Sequence, residues 1–248
     1  MSEVLGAAAP PVAGTAGTSS ATAAGLDLVP AARRPVEPDA VGVVAAVCRT
    51  WAVAPDHKGE PTGIDKRAVD AVVVGADGVL DDRVLDTRHH GGRDKAVYAY
   101  AAEDAEWWAE RLGRDDVAAG WFGENLLLRG VDVSAARVGE RWRLGRDVVV
   151  EVTQPRTPCA TFQHRTGERG WQKRFLTAGR PGAYLRVHAT GTVRAGDPVV
   201  VEHRPAHGVG LGRWVTLQDP ADARALLAAG LEIAPSLLAH VRAAAGRG

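Results

Sequence analysis

The 248-residue chain has a mass of 26.0 kDa, with 46% hydrophobic and 24% charged residues, which is typical of a globular protein with a sizeable core. Its formal net charge is zero, so no whole-chain attraction to nucleic acid or to an anionic membrane is expected. No stretch approaches the roughly 20 apolar residues of a membrane span. Two cysteines, Cys48 and Cys159, are too few for a disulfide scaffold and favour a reducing, cytoplasmic location.

The first segment, residues 1–38, consists mainly of Ala, Pro, Gly, Thr, Ser and Val and contains no aromatic residue. Such a composition buries too little apolar surface to offset the entropy of ordering, so it predicts disorder. Glu3 stands where a secretory signal carries a cation, and Pro10 and Pro11 interrupt the apolar run. A cytoplasmic protein is therefore predicted.

Short Val-rich runs from residue 40 onward predict strands. Gly75–Gly78 predicts a hairpin turn between two of them. Many short strands with turn signals favour a β-barrel or strongly bent sheet over alternating strands and helices. The predicted strands are Ala40–Cys48, Arg67–Val74, Glu140–Leu144, Asp147–Val152, Tyr184–His188 and Pro198–Glu202.

Helices are predicted at the periphery and in the tail. Glu103–Leu112 is acidic at its start and basic at its end and stops at Gly113; a second helix is predicted over Thr166–Thr177. Asp219 followed by Pro220 is a helix-start signal, and two short helices with apolar faces follow it. The GVGLG run at 208–212 lacks the context of a nucleotide-binding loop and is interpreted as a linker.

The first segment that carries chemistry is RHHGGRDKAVY, residues 88–98. Its two glycines let backbone N–H groups approach a ligand, while His89, His90, Arg93 and Lys95 form a cationic rim. Adjacent histidines do not make a zinc site by themselves. The alternative interpretation is an ordinary turn with solvated charges.

Lysine is rare in this chain, since only four of its 30 basic residues are lysines. Either this is chance, or some sites require a compact ammonium group in place of a guanidinium. The second interpretation singles out Lys66 and Lys95.

The second segment is GWFGENL, residues 120–126. Its Glu-Asn pair places a carboxylate and an amide, Asn125, at the start of an apolar strand. The pair either orients a ligand or locks a turn by hydrogen bonding.

The third segment is QPRTPCATF, residues 154–162, in which two prolines hold the loop extended and place Cys159 at a rigid, exposed position. A cationic neighbour such as Arg156 increases the fraction of thiolate, the form that binds metals or attacks sulfur. A buried structural cysteine is the alternative. Cys48, among Val and Ala, is expected to be an inert core residue.

HHGGRDKAVYAY, FGENL, VGERWRLG, QPRTPC and GTVRAGDPV occur in an order and spacing that resemble the MOSC domain, the C-terminal domain of molybdenum-cofactor sulfurases and their free-standing relatives. The resemblance covers residues 40–204. The sequence after it looks like a shortened form of the three-helix appendage of stand-alone bacterial members linked to detoxification of N-hydroxylated bases. The implied fold is mainly β, a MOSC-type barrel over 39–205 with peripheral helices, followed by a linker and helical appendage over 206–248.

The resemblance implies that Cys159 ligates the molybdenum of a molybdenum cofactor, molybdopterin. Lys66, His89, His90, Arg93 and Lys95, with Asn125 and Arg156, are the candidates for holding the pterin phosphate. The predicted function is reduction of a small N-hydroxylated substrate. Because the chain shows no flavin, haem or iron–sulfur motif, electrons are expected from a separate reductase.

Two alternatives stay open at this point. In the first, Cys159 carries a persulfide received from a partner cysteine desulfurase, and pyridoxal phosphate belongs to that partner. In the second, the protein is a non-catalytic carrier that binds and delivers the cofactor.

Overall fold

The strands close into a barrel. The computed structural model describes residues 40–85 and 91–247, so the predicted disordered segment and both His89 and His90 lie outside the described residues. The strands are β1 (Ala40–Pro55), β2 (Pro61–Val69), β3 (Ala71–Gly75), β4 (Gly78–Val79), β5 (Val97–Ala101), β6 (Leu126–Arg129), β7 (Arg141–Leu144), β8 (Val148–Pro155), β9 (Ala183–Ala189), β10 (Gly191–Arg194) and β11 (Pro198–His203). Seven of these run in the circuit β1–β11–β7–β8–β9–β5–β6, and β6 pairs again with β1. The predicted barrel is confirmed.

The barrel interior explains why the Val-rich runs form strands. Val148, Val150 and Val152 of β8 alternate along the strand, and all three are fully buried in one apolar cluster. Alternate residues of a strand point to the same face, so such a strand buries a continuous apolar row. Strand β2 lies outside the circuit and pairs with β1 in a two-stranded ribbon, while β3, β4 and β10 form a second small sheet.

Two sequence predictions are corrected by the structure. The single strand predicted over Arg67–Val74 is divided at Asp70 between β2 and β3. The helix predicted over Thr166–Thr177 is confirmed for its C-terminal part, since a helix spans Trp171–Ala178, but its start is wrong: Thr166 ends a separate helix, and Gly167 and Gly170, with φ angles of 70° and 65°, lie between the two. This left-handed backbone is readily adopted by glycine and ends a helix.

The helices lie around the barrel. They are α1 (Ala102–Leu112), α2 (Ala160–Thr166), α3 (Trp171–Ala178), α4 (Leu211–Leu217), α5 (Pro220–Ala228) and α6 (Pro235–Ala245), with a short 3-10 helix at Arg93–Lys95. The predicted α1 and its stop at Gly113 are confirmed. Helix α1 also serves as the crossover that lets β5 and β6 pair in parallel.

The tail packs onto the barrel. Leu226, Leu237 and Val241 belong to the same buried cluster as the barrel residues. The predicted cap of α5 is confirmed, since the Asp219 carboxylate accepts a hydrogen bond from the Ala221 N–H at 2.7 Å. Residues 208–212 are not a solvated linker: Val209 and Leu211 are buried, and α4 begins there. Among the described residues, no helix has the length and apolar character needed to cross a membrane.

Candidate functional site

A cleft opens beside the ribbon of β1 and β2, where three chain segments singled out in the sequence come together. Residues 86–90 fall between two lining residues and are outside the described part of the chain. The cleft is lined by Thr62, Gly63, Ile64, Lys66, Asp82, Arg83, Val84, Leu85, Gly91, Lys95, Ala96, Tyr98, Gly123, Asn125, Arg156 and Tyr184.

Arg156 is the principal cation of the cleft. It is 4% exposed, and its guanidinium carbon lies 4.2 Å from the centroid of the Phe162 ring and 4.8 Å from that of Tyr98. Its NH1 group donates to the Phe122 carbonyl at 2.6 Å, and its buried Nε atom has no hydrogen-bond partner among the described residues. No carboxylate in the described residues forms an ion pair with it. A buried cation with an unused donor is ready to bind an anion.

Cys159 lies next to this cation. It follows the extended Arg156–Pro158 loop, immediately precedes α2, and is half-buried against the aromatic cluster that includes Phe162. Burial lowers the pKa of Arg156, whereas interactions with Tyr184, Tyr98 and Cys159 raise it, and the net shift is upward. Cys159 is not among the lining residues, but Arg156 and Tyr184, which do line the cleft, both interact electrostatically with it.

The second cysteine behaves as predicted. Cys48 is fully buried in β1, and burial raises its pKa well above the ordinary value. Its thiol is therefore not a candidate for binding or catalysis.

Lys66 lies in the cleft as the sequence analysis proposed, but it is paired with a carboxylate. Its Nζ atom lies 2.5 Å from Oδ2 of Asp82, which also accepts from the Asn125 amide at 2.8 Å. Thr50 donates to Oδ1 of Asp82 through its backbone N–H and its hydroxyl. Burial lowers the pKa of Lys66 despite this pairing, and the pairing lowers the pKa of Asp82 despite its own burial.

In the Glu-Asn pair of the second segment, Glu124 has a structural role. The Glu124 carboxylate accepts from the backbone N–H groups of Gly120 at 2.5 Å and Phe122 at 3.1 Å, which locks the turn. Burial raises the pKa of Glu124, although these donors oppose the shift. Asn125 lines the cleft, while its amide bonds to the Tyr98 N–H and to Asp82.

Two described residues of the cationic rim predicted from RHHGGRDKAVY, Lys95 and Arg93, lie in different surroundings. Lys95 lines the cleft, with its Nζ atom 5.7 Å from the centroid of the Tyr184 ring. Arg93 is exposed and forms an ion pair with Glu232 of the tail at 2.5 Å. It is therefore not among the lining residues, and its role as a ligand-binding residue stays a prediction.

Sequence reasoning missed several residues of the cleft, among them Tyr98, Tyr184 and Asp82. Tyr98 and Tyr184 form a ring pair with centroids 5.1 Å apart, and burial raises the pKa of both hydroxyls. Asp82 lies in a loop without a motif, so no signal identified it. The described residues contain no group of three or more His, Cys, Asp or Glu side chains arranged to hold a metal.

Comparison with known proteins identifies the family of this chain. Residues 86–200 match the family model of the MOSC domain. YflK of Bacillus subtilis is 35% identical over 155 residues, which cover 62% of this chain and 69% of YflK. The chain belongs to the MOSC domain family.

Two further known proteins are similar to this MOSC domain protein. A protein of Gibberella moniliformis named "Reductase" is 34% identical over 136 residues, which cover 54% of this chain but 24% of that protein. The crystal structure of YiiM from Geobacillus stearothermophilus has the same fold, with a TM-score of 0.62 at 24% identity, over 79% of this chain and 98% of YiiM.

Proposed function

We propose that this MOSC domain protein is a cytoplasmic molybdenum-cofactor-binding oxidoreductase that reduces N-hydroxylated substrates, with Cys159 as the protein ligand to the metal. The observation that carries the proposal is the electrostatic interaction of a half-buried Cys159 with a buried Arg156, which forms no ion pair with a carboxylate of residues 40–85 or 91–247. A thiolate is the ligand that a thiophilic metal prefers, and an unpaired guanidinium suits a phosphate.

The donor set of the cleft fits a phosphate-bearing cofactor. Arg156 offers a guanidinium that no carboxylate of the described residues pairs with, and Lys95 is a second cation that lines the cleft. Gly91 and Gly123 line the cleft with φ angles of 76° and 74°, where a Cβ atom would contact Val84 at 3.1 Å and Ile64 at 3.0 Å. Arg156, Lys95 and these glycine backbones would hold the pterin phosphate, and Lys66 would contribute only in part because Asp82 already neutralises it.

The reaction requires two electrons and two protons for each substrate: R–NHOH becomes R–NH2 and water. When bound, the cofactor supplies two-electron oxygen-atom transfer chemistry. The chain's own residues then have simpler tasks. Arg156 would hold the phosphate of the cofactor and Cys159 would ligate its metal, while the buried Tyr98 and Tyr184 stay protonated because burial raises their pKa values.

The name "Reductase" of one relative supports a redox role, and the match covers 24% of that longer protein. We infer that a separate electron-donating reductase serves this chain.

The test is metal and pterin analysis of protein purified from a host that makes the cofactor. We expect near-stoichiometric molybdenum and pterin in the wild type and in Cys48→Ala, the matched cysteine control, and substoichiometric molybdenum in Cys159→Ser as purified, because the variant binds the cofactor more weakly but can still be loaded with added cofactor. Wild-type protein that retains neither component contradicts the proposal. So does a metal-free protein whose Cys159 peptide gains the mass of one sulfur atom after incubation with a cysteine desulfurase and cysteine, because that result shows a persulfide carrier.

A further inference from the structure

A second groove lies on the outer face of the β1–β2 ribbon, next to the cleft. It shares two residues, Asp82 and Arg83, with the cleft lining. A molecule seated in the groove would therefore stand beside the mouth of the cofactor site. The groove is lined by Arg49, Thr50, Trp51, Val53, Val69, Asp81, Asp82 and Arg83.

Large apolar side chains are exposed around this groove. Trp51 is 65% exposed, and Leu80, directly before the lining residue Asp81, is 59% exposed. Val84 and Leu85, at the border with the cleft, are also exposed. A cluster of exposed apolar side chains bordered by charges marks an interaction surface, and tryptophan is among the residues most enriched at binding hot spots.

This face carries two exposed arginines, and their position opposite each other lowers the stability of the strand pair. Arg49 and Arg67 are direct partners across β1 and β2, and their side chains are 45% and 57% exposed. Like charges directly opposite each other in a sheet are destabilising. The Arg67 guanidinium lies 5.0 Å from the Trp51 ring centroid, which joins the cations and the aromatic side chain in one surface.

The carboxylates nearby offset only part of this positive charge. Asp81 is 3.8 Å from Arg49 and highly exposed. Asp65 lies 3.5 Å from Arg67 but is shared with Arg165 at 3.0 Å. Asp82 of the groove is already paired with the buried Lys66, and a third arginine, Arg83, lines the groove beside it.

We propose that this face, defined by Arg49, Trp51, Val53, Arg67 and Leu80, is the docking surface for an acidic electron-carrying protein. The inference rests on the proposed function and names the class of partner that supplies its electrons. Each docking event oxidises one reduced centre of the partner by one electron, so two successive events supply the two electrons that, with two protons from solvent, convert R–NHOH to R–NH2 and water. Opposite charges speed and orient such an encounter, and the exposed tryptophan supplies the apolar contact.

The probe is an acidic plant-type [2Fe–2S] ferredoxin, and its binding is measured by isothermal titration calorimetry at low and at high salt. We expect salt-sensitive binding by the wild type and about 10-fold or greater weakening in R49E/R67E and in W51A. R224E/R242E, which changes the same number of charges on α5 and α6, should bind like the wild type. Circular dichroism checks that each variant is folded.

Turnover separates this inference from the proposed function. With reduced methyl viologen as donor, R49E/R67E should reduce the substrate as fast as the wild type, whereas the ferredoxin-driven rate should fall about 10-fold or more. A wild type that shows no turnover with reduced methyl viologen contradicts the proposed function.

Three results overturn the docking surface itself. One is ferredoxin binding that is equal in R49E/R67E and in the wild type. Another is a monomeric wild type that binds no ferredoxin, as expected if residues 1–39 cover the face. The third is a wild-type dimer that R49E/R67E dissociates, because the face then binds a second copy of the chain.

Discussion

Replacing Arg156 with methionine separates a functional cation from a structural one. The substitution removes the charged hydrogen bond to the Phe122 carbonyl, a contribution of about 1.5–3 kcal/mol, and two ring contacts of about 1 kcal/mol each. It also relieves the burial of a cation that no carboxylate of the described residues pairs with, a cost of several kcal/mol. These contributions oppose each other, so the free energy of unfolding should change by less than about 2 kcal/mol.

Anion binding should respond very differently. An anion that accepts from the Arg156 guanidinium loses a charge-assisted hydrogen bond of about 1.5–3 kcal/mol in the variant, which corresponds to roughly 10- to 100-fold in affinity. Titration with inorganic phosphate followed by 31P NMR measures this loss, and urea unfolding measures stability. Arg174→Met, on the exposed side of α3, is the matched control and should change neither quantity.

The contrary outcome is equally clear. If Arg156→Met loses more than about 4 kcal/mol of stability while its phosphate affinity stays unchanged, the guanidinium is a structural element, and the assignment of an anion site is wrong.

Three further predictions test the surroundings of the cleft. Asp82→Asn should lower the free energy of unfolding by about 3–5 kcal/mol at pH 7, because it leaves Lys66 buried without a counter-ion; a loss below about 1 kcal/mol would refute the pairing. Since the pKa of Asp82 is lowered by folding, its stabilisation is present above its unfolded value of about 4 and is lost as the pH falls through the lower folded value, so urea unfolding should show the gap from the wild type closing in acid. Native protein treated with iodoacetamide should be alkylated at Cys159 and not at the fully buried Cys48, and mass spectrometry that finds equal labelling would count against the site. Arg186→Ala should cost about 3–5 kcal/mol in urea unfolding, because its buried guanidinium bonds several carboxylates at once, and a near-neutral result would contradict that role.

The parts of the fold that follow from local pattern were predictable from the sequence. Strand β8 is a run of Val residues with alternate side chains buried, and α5 begins at an Asp-Pro signal. Local pattern was less informative where glycines separate one helix from the next. Gly167 and Gly170 each adopt a left-handed conformation, and the single predicted helix becomes α2 and α3.

The site was predictable where a motif carries its own chemistry. Cys159 lies beside a cation, as its loop indicated, and Lys95 lines the cleft. Pairings between residues far apart in sequence were not predictable. Arg93 is engaged by Glu232, 139 residues away, and Lys66 by Asp82 in a loop with no pattern of its own. Such contacts are set by how the barrel closes and where the tail docks.

The most direct test of the central claim is X-ray absorption at the molybdenum edge of the loaded protein. If Cys159 is the ligand, Cys159→Ser reconstituted with the same cofactor should show one fewer sulfur neighbour of molybdenum than the wild type, and Cys48→Ala should show the same number as the wild type. An identical sulfur count in wild type and Cys159→Ser would show that the thiol does not bind the metal.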